Sequence, residues 1–362
     1  MKHAFRVLIK IAGAAAALLM ILSSASMYVS PARYPYAVYA SLLYVPLIVT
    51  NIFFFFFFLI RIGRISALIS AAGIFIALLT VPRVWQWPYR NPGDADGVRL
   101  MSYNVHLFDV YDWRNPGVVR DRMLGFLQRE NPDIFLFQEF YLDATGVFQT
   151  RDSIQALFGM PYCSEYYTDT VKGVYSYGIA TISRYPIIHQ EATCFAGTQN
   201  LFIASDIVLP WDTVRVINCH LQSIRFSADD YRTISDKEEV MNNISKLKTV
   251  FGKVHRAGAY RAYQTSELVR YALQSPHPVI VGGDFNDPPL SYTYQYIRSS
   301  LGLQDAFIES GTGFGGTYNG PLPSYRIDYI LHDASLSASR FEVHRVPYSD
   351  HFPVSCYLRK AD

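Results

Sequence analysis

Residues 278–287, Pro278-Val279-Ile280-Val281-Gly282-Gly283-Asp284-Phe285-Asn286-Asp287, decide how this chain is read. The β-branched run up to Val281 predicts a short buried strand. It gives way to two glycines and an acid, and Asn286 and Asp287 are residues whose side chains favour turns by bonding nearby backbone. A carboxylate at the end of a buried strand costs free energy unless its charge is used. A second segment, Ser349-Asp350-His351, stands just before another apolar run, Pro353–Leu358.

Upstream, the same juxtaposition recurs. Val98–Val105 predicts a strand ending in Ser102-Tyr103-Asn104-Val105, and Asp133–Phe137 a strand running into Gln138-Glu139. Thr213–Asn218 leads into Cys219-His220, and Ile327–Leu331 carries Asp328 beside Arg326. Tyr177–Ser183 and Leu201–Leu209 predict further strands. Pro116–Glu130 predicts a helix, and Asp229–Gln274 a pair of helices broken near Gly258. Strands outnumber helices and include adjacent pairs, which favours a mixed-sheet sandwich over a doubly wound parallel sheet. Taken singly, these polar residues have ordinary explanations. Asn104 is a strand-end amide, Glu139 a cap or solvated acid, and His220 a hydrogen-bonded core histidine. Asp284 and Asn286 are turn formers, Asp328 a partner for Arg326, and Asp350-His351 a loop-end cap. Their joint placement at strand ends is what calls for a chemical reason.

In this order the Gln-Glu, Gly-Asp-Phe-Asn, Arg-Ile-Asp-Tyr-Ile and Ser-Asp-His motifs resemble the endonuclease/exonuclease/phosphatase superfamily, from about Val98 to Leu358. The resemblance implies the deoxyribonuclease I-like α/β (α+β) fold: a four-layered sandwich of two mixed β-sheets flanked by helices. It implies Glu139 as principal ligand of Mg²⁺, or alternatively Mn²⁺, with Asn104 beside it and Asp350 as a further metal or water ligand. Hard oxygen donors in small number suit Mg²⁺, which keeps waters and takes a phosphate oxygen. Asp284 would orient or deprotonate the attacking water, and Asn286 would hold that water or a phosphoryl oxygen. His220 would donate to the phosphate. His351, its tautomer fixed by Asp328, would stabilise charge developing at phosphorus or act as acid or base. Arg184 and Tyr185 are family-like with a structural alternative. The glycine-rich stretch Gly313–Gly320 reads equally as a lid or a long turn.

The N-terminal part differs in kind. Residues 1–90 hold eight of the 32 Lys/Arg and none of the 30 Asp/Glu, so the remainder carries 24 basic against 30 acidic side chains, a formal net charge of −6. The apolar stretches Val7–Val29, Ala37–Ile60 and Ile65–Val81 each match the ~17–25 residues that cross a bilayer. Lys2, Arg6, Lys10, Arg61 and Arg64 outweigh the lone Arg33 between the first two stretches. The positive-inside bias then puts the N-terminus in the cytoplasm and everything after Val81 outside, with Arg83 and Arg90 as weak counter-signals. Trp85, Trp87 and Tyr89 read as an interfacial belt. If Ser24-Ala25-Ser26 is instead a signal cleavage site, the C-terminal part still lies outside.

The expected organisation is therefore a three-helix anchor over residues 1–90, a turn-rich linker over 91–97 and a catalytic domain over 98–362. The location it implies is a bacterial-type inner membrane, multi-pass, with the catalytic domain extracytoplasmic. The expected function is phosphoester hydrolysis on phospholipid or sphingolipid headgroups or small phosphoesters. An extracytoplasmic nuclease is the alternative, disfavoured by the acidic domain. A non-catalytic binding module is a second alternative, disfavoured by the full set of acids and histidines. The four cysteines have no metal-ligand spacing, and Cys219 and Cys356 read as small buried thiols.

Overall fold

The pairing of strand β1 (Val98–Asn104) with β2 (Ile134–Asp143) is parallel, and so is that of β7 (Thr213–His220) with β8 (Val279–Asp284). All other pairings are antiparallel, so each of the two sheets is mixed. The remaining strands are β3 (Tyr162–Val171), β4 (Tyr175–Ser183), β5 (Ile187–Cys194), β6 (Leu201–Val208), β9 (Gln304–Asp305), β10 (Asp328–His332), β11 (Leu336–Val343) and β12 (Val354–Lys360). One sheet runs β11-β12-β1-β2-β4-β3 and the other β5-β6-β7-β8-β10-β9. The computed structural model describes residues 2–87, 93–110, 117–236 and 243–361. Tyr89, Arg90, the first two linker residues Asn91 and Pro92, and the expected helix start at Pro116 lie outside them.

The chain divides into two compact units. The larger comprises residues 86–223, 264–287 and 297–362. Its strands read as near-continuous apolar runs because both faces of the central strands are covered. Leu100, Leu136, Val216, Ile280 and Ile330 pack between the sheets. The alternate residues Met101, Phe135 and Phe137 face outward, against helices α5 (Val118–Glu130) and α6 (Arg151–Phe158). At the second sheet, Tyr271 lies with its ring 5.3 Å from that of Phe202. The result is the four-layered sandwich expected from the sequence.

The smaller unit comprises residues 1–85, 224–263 and 288–296. It contains helices α1 (Lys2–Ser26), α2 (Ala37–Leu42), α3 (Tyr44–Arg61) and α4 (Arg64–Thr80). Three stretches, His3–Ser26, Tyr44–Arg61 and Arg64–Arg83, are long and apolar enough to cross a membrane, with mean hydropathy of 2.1, 1.9 and 2.2. The second apolar run is not one helix but α2 and α3, parted at Leu43. Pro46 has no N–H to offer Leu42, so the ladder breaks ahead of it. Between helices, the Asn51 amide donates to the Ala16 carbonyl at 3.0 Å and the Tyr44 hydroxyl to that of Ala77 at 2.8 Å.

The long polar helical region also breaks elsewhere than expected. Helix α7 (Ala228–Ser235) ends at Asp236, and α8 runs unbroken over Ile244–Ala272, through Gly258. Gly258 serves close approach instead: a Cβ there would meet Val38 Cγ2 at 3.1 Å. Helices α9 (Tyr292–Ser300) and α10 (Ala306–Ser310) complete the chain.

Candidate active site

The carboxyl ends of β1, β7 and β8, the bulged stretch of β2, the amino end of β10 and the residues just ahead of β12 bring the polar clusters together, all within the larger unit. In one sheet Asn104 pairs in register with Gln138; in the other, His220, Asp284 and Asp328 lie in one row across β7, β8 and β10. Gly283 makes that row achievable. Its φ is +135°, and a Cβ would stand 2.0 Å from the Cys219 carbonyl oxygen, so no other residue lets β8 approach β7 this closely.

Glu139 is aimed by a break in the ladder. Pairing of β2 with β4 slips between Phe137 and Phe140, and Glu139 takes a left-handed φ of +48°. Such a bulge turns one side chain out of the alternation, and a positive φ on a non-glycine residue is kept only where the surroundings impose it. Beneath it, the Gln138 amide donates to Asn218 Oδ1 in the opposite sheet at 2.7 Å. Asn218 donates in turn to the Phe137 and Ala180 carbonyls at 3.2 and 3.0 Å. This buried amide clamp ties the strand of Glu139 to the strand of His220. The sequence displayed both residues inside its clusters but gave no sign of the bond, which spans 80 positions.

Above the clamp, Asn104 Nδ2 donates to Glu139 Oε1 at 3.3 Å and to Asp284 Oδ2 at 3.1 Å, while its oxygen accepts from the His106 backbone at 3.1 Å. His220 Nε2 lies 3.8 Å from Glu139 Oε1 and 3.7 Å from Asp284 Oδ2, buried and with no hydrogen-bond partner among the described residues. A buried donor left open in this way calls for an acceptor. Asn286, at φ +53°, gives its backbone N–H to Asp284 Oδ1 at 2.8 Å. Its amide goes to Asp284 Oδ2 and to the Leu221 carbonyl, both at 3.0 Å. His351 Nδ1 faces both Asp328 oxygens at 3.2 and 3.0 Å, and its Nε2 lies 3.7 Å from Asp284 Oδ2.

Electrostatics follow from burial and crowding. Burial, reinforced by Asp328, pushes the Asp284 carboxyl up to about 6, against the pull of His351 and His220. Burial alone would depress His351, but Asp328 and Asp284 outweigh it and hold the imidazole well above its ordinary value. Burial also raises the Cys219 thiol well above its usual range, leaving it neutral, and all four cysteines are free.

The remaining expected residues have other partners. Asp350 is not drawn into the Glu139–Asp284 cluster by any described hydrogen bond. Its carboxylate accepts from Ser349 Oγ at 3.4 Å, and that hydroxyl also reaches the Asn104 carbonyl at 2.8 Å. Arg326 is not the partner of Asp328. It is fully buried, forks onto Asp305 at 2.9 and 3.2 Å and stacks on Phe307 and Tyr329, which frees Asp328 for His351. Arg184 bonds Asp133 Oδ1 at 3.0 Å, a structural tie. The Gly313–Gly320 segment is stitched to the site. Thr317 Oγ1 accepts from the Asp328 backbone at 3.1 Å, Asn319 N–H reaches the Asp350 carbonyl at 2.7 Å, and the Tyr318 ring stands edge-on to His351.

Among the described residues, two groups of acids and histidines are close enough to hold a cation. In Asp284–Asp328–His351 the raised imidazole already supplies positive charge between the acids. In Glu130–Glu342–His344 the guanidinium of Arg99 does so, 2.6 Å from Glu130. The Glu139 side, with a partly exposed carboxylate, a second acid close by and the open His220 nitrogen, fits a hard cation that brings an anionic ligand with it.

The endonuclease/exonuclease/phosphatase family model matches residues 101–351. The chain belongs to that family. A model for a domain of unknown function matches residues 6–84. Mouse (Mus musculus) sphingomyelin phosphodiesterase 2 is 24% identical over 259 residues, covering 66% of this chain and 57% of that protein, so the chain spans little more than half of its curated relative. The family protein from Bacteroides vulgatus aligns with a TM-score of 0.54 at 17% identity, covering 73% of this chain and 99% of that one. The family protein from Beutenbergia cavernae aligns at 0.53 with 19% identity, covering 73% and 72%. These likenesses place the fold, and family membership brings dependence on a divalent metal.

Proposed function

We propose that this protein is a membrane-anchored, Mg²⁺-dependent hydrolase that cleaves phosphoester bonds of lipid headgroups. The observation that carries the chemistry is the convergence of Asn104, His220, Asn286 and His351 on one carboxylate oxygen of Asp284, with Glu139 beside Asn104 and His220 and with the buried His220 Nε2 making no hydrogen bond among the described residues. Glu139 would hold the ion, with Asn104 fixing the Glu139 and Asp284 carboxylates through its amide nitrogen. When bound, Mg²⁺ would polarise a phosphoryl oxygen and offset charge on the leaving group. His220 Nε2 donates to a second phosphoryl oxygen. Asp284, with a carboxyl poised near 6, takes the proton as the water oxygen bonds to phosphorus. Asn286 holds Asp284 in place. The departing oxygen keeps the bonding pair and collects a proton from solvent. His351, held by Asp328, presents positive charge to the phosphoryl group as negative charge builds there.

The lipid assignment rests on three observations. Three helices suit a bilayer, the chain after residue 90 is net acidic, and curated relatives act on sphingomyelin by name. By the positive-inside bias the catalytic unit faces the extracytoplasmic side.

The test is hydrolysis by the full chain in nanodiscs, with Mg²⁺ or chelator, across phosphatidylcholine, sphingomyelin, an inositol phosphate, and single- and double-stranded DNA. Chelator-sensitive release of a lipid headgroup product supports the reading. Turnover confined to DNA and falling steeply with salt would replace the lipid substrate by nucleic acid, and Mg²⁺-independent turnover would overturn the mechanism.

A further inference from the structure

The stretch Ile244–Ser266 holds five basic residues, Lys246, Lys248, Lys253, Arg256 and Arg261, and no acidic one. Up to Tyr263 it belongs to the same compact unit as the apolar helices. Its contacts with that unit are specific. The Tyr39 hydroxyl donates to the Phe251 carbonyl at 2.7 Å, the two rings meet edge to face at 5.4 Å, and Gly258 abuts Val38 and Pro31. Pro31, Val38 and Tyr39 all lie between the end of α1 and the start of α3, so α8 packs at one end of the apolar helices, where a span meets the headgroups. Lys246 pairs with Asp229 at 3.5 Å, and Lys253 pairs with Asp230. Among the described residues Lys248 and Arg256 have no ionic partner and point outward.

The outward arc is also apolar and aromatic. Ile244 is 66% exposed, Phe251 51%, Tyr260 42% and Tyr263 52%. At about 100° per residue these four, with Lys248 and Arg256, fall within about half a turn of the helix. Aromatic rings with Lys and Arg on one face of a helix, beside residues that enter a bilayer, match an element lying in the membrane interface. Tyrosines there sit amphipathically at headgroup depth, while long basic side chains reach lipid phosphates.

We propose that Ile244–Tyr263 of α8 is a membrane-surface helix that rests its Ile244, Phe251, Tyr260 and Tyr263 side chains in the headgroup layer of an anionic phospholipid bilayer and binds lipid phosphates through Lys248 and Arg256. This rests on the membrane reading of the apolar helices and adds a second, charge-dependent contact to it.

The test places photoreactive p-benzoyl-phenylalanine at position 251, or at position 75 on the exposed flank of α4, in the full chain reconstituted in phosphatidylglycerol nanodiscs. Lipid adducts at both positions support the proposal. Adducts at 75 but not at 251 overturn it while leaving the spans intact, and adducts at neither overturn the membrane reading with it. With Lys248→Glu and Arg256→Glu together, the adduct yield at 251 falls about fivefold or more while that at 75 is unchanged. An unchanged yield at 251 would overturn the role given to the two basic residues.

Discussion

Replacing Asp328 by Asn tests whether His351 works as a held cation or merely as a neighbour. The two Asp328 oxygens lie 3.2 and 3.0 Å from His351 Nδ1, and both residues are buried. Asparagine keeps the volume and one acceptor but removes the charge. A hydrogen bond to a charged group contributes about 1.5–3 kcal/mol. If it acts only while charge builds at phosphorus, its loss lowers kcat about 10- to 100-fold with little change in KM. The assay is steady-state phosphoester release by the full chain in nanodiscs, for Asp328→Asn, His351→Gln and the double variant. Because Asp328 acts through His351, the double variant should be no slower than His351→Gln alone. Multiplicative losses, or a fall confined to KM, would refute the account.

Other perturbations probe neighbouring parts. Gln138→Leu leaves the Asn218 amide oxygen buried without its donor, and should cost about 1–3 kcal/mol in thermal unfolding as well as activity; undiminished turnover would separate the clamp from the site. Gly283→Ala forces a Cβ into the Cys219 carbonyl, and should lower activity even where folded protein is recovered, as judged by unchanged far-UV circular dichroism. In the helical unit, Asp230 is held at about 2: burial raises its carboxyl, but Lys253 and Ser227 outweigh it. Its stabilisation is therefore full above about pH 4 and is lost as pH falls through 2, so Asp230→Asn should lower the unfolding free energy at pH 7 by about 0.5–1 kcal/mol after solvent screening, and by progressively less as pH falls toward 2.

The sequence was most legible where apolar strands ended abruptly in acids and histidines. Asn104, Glu139, His220, Asp284, Asn286, Asp328 and His351 are brought into one connected group because parallel pairing aligns the carboxyl ends of β1 with β2 and of β7 with β8, while the antiparallel β10 and β12 start at that same edge. Strands with one solvent-facing side were not legible. In β3 and β5 exposed positions interrupt any apolar pattern, and β5 alone carries His189, Gln190 and Glu191 in succession. The true partner of Arg326 was equally hidden, since Asp305 lies 21 residues away on β9. Gly258 misled as a helix breaker because a glycine that admits a neighbouring helix looks the same in sequence as one that ends its own. The Gln138–Asn218 clamp and the Glu139 bulge exist only once both sheets have formed.

The central claim is that water attacks phosphorus here with Asp284 as the proton acceptor and a metal ion at Glu139. Mg²⁺-dependent turnover of headgroup phosphoester by the full chain in nanodiscs, compared with that of Asp284→Asn, tests it most directly. The account predicts a loss of about 10²–10⁴-fold with protein still folded and membrane-inserted; turnover within a few-fold of the parent protein would contradict it.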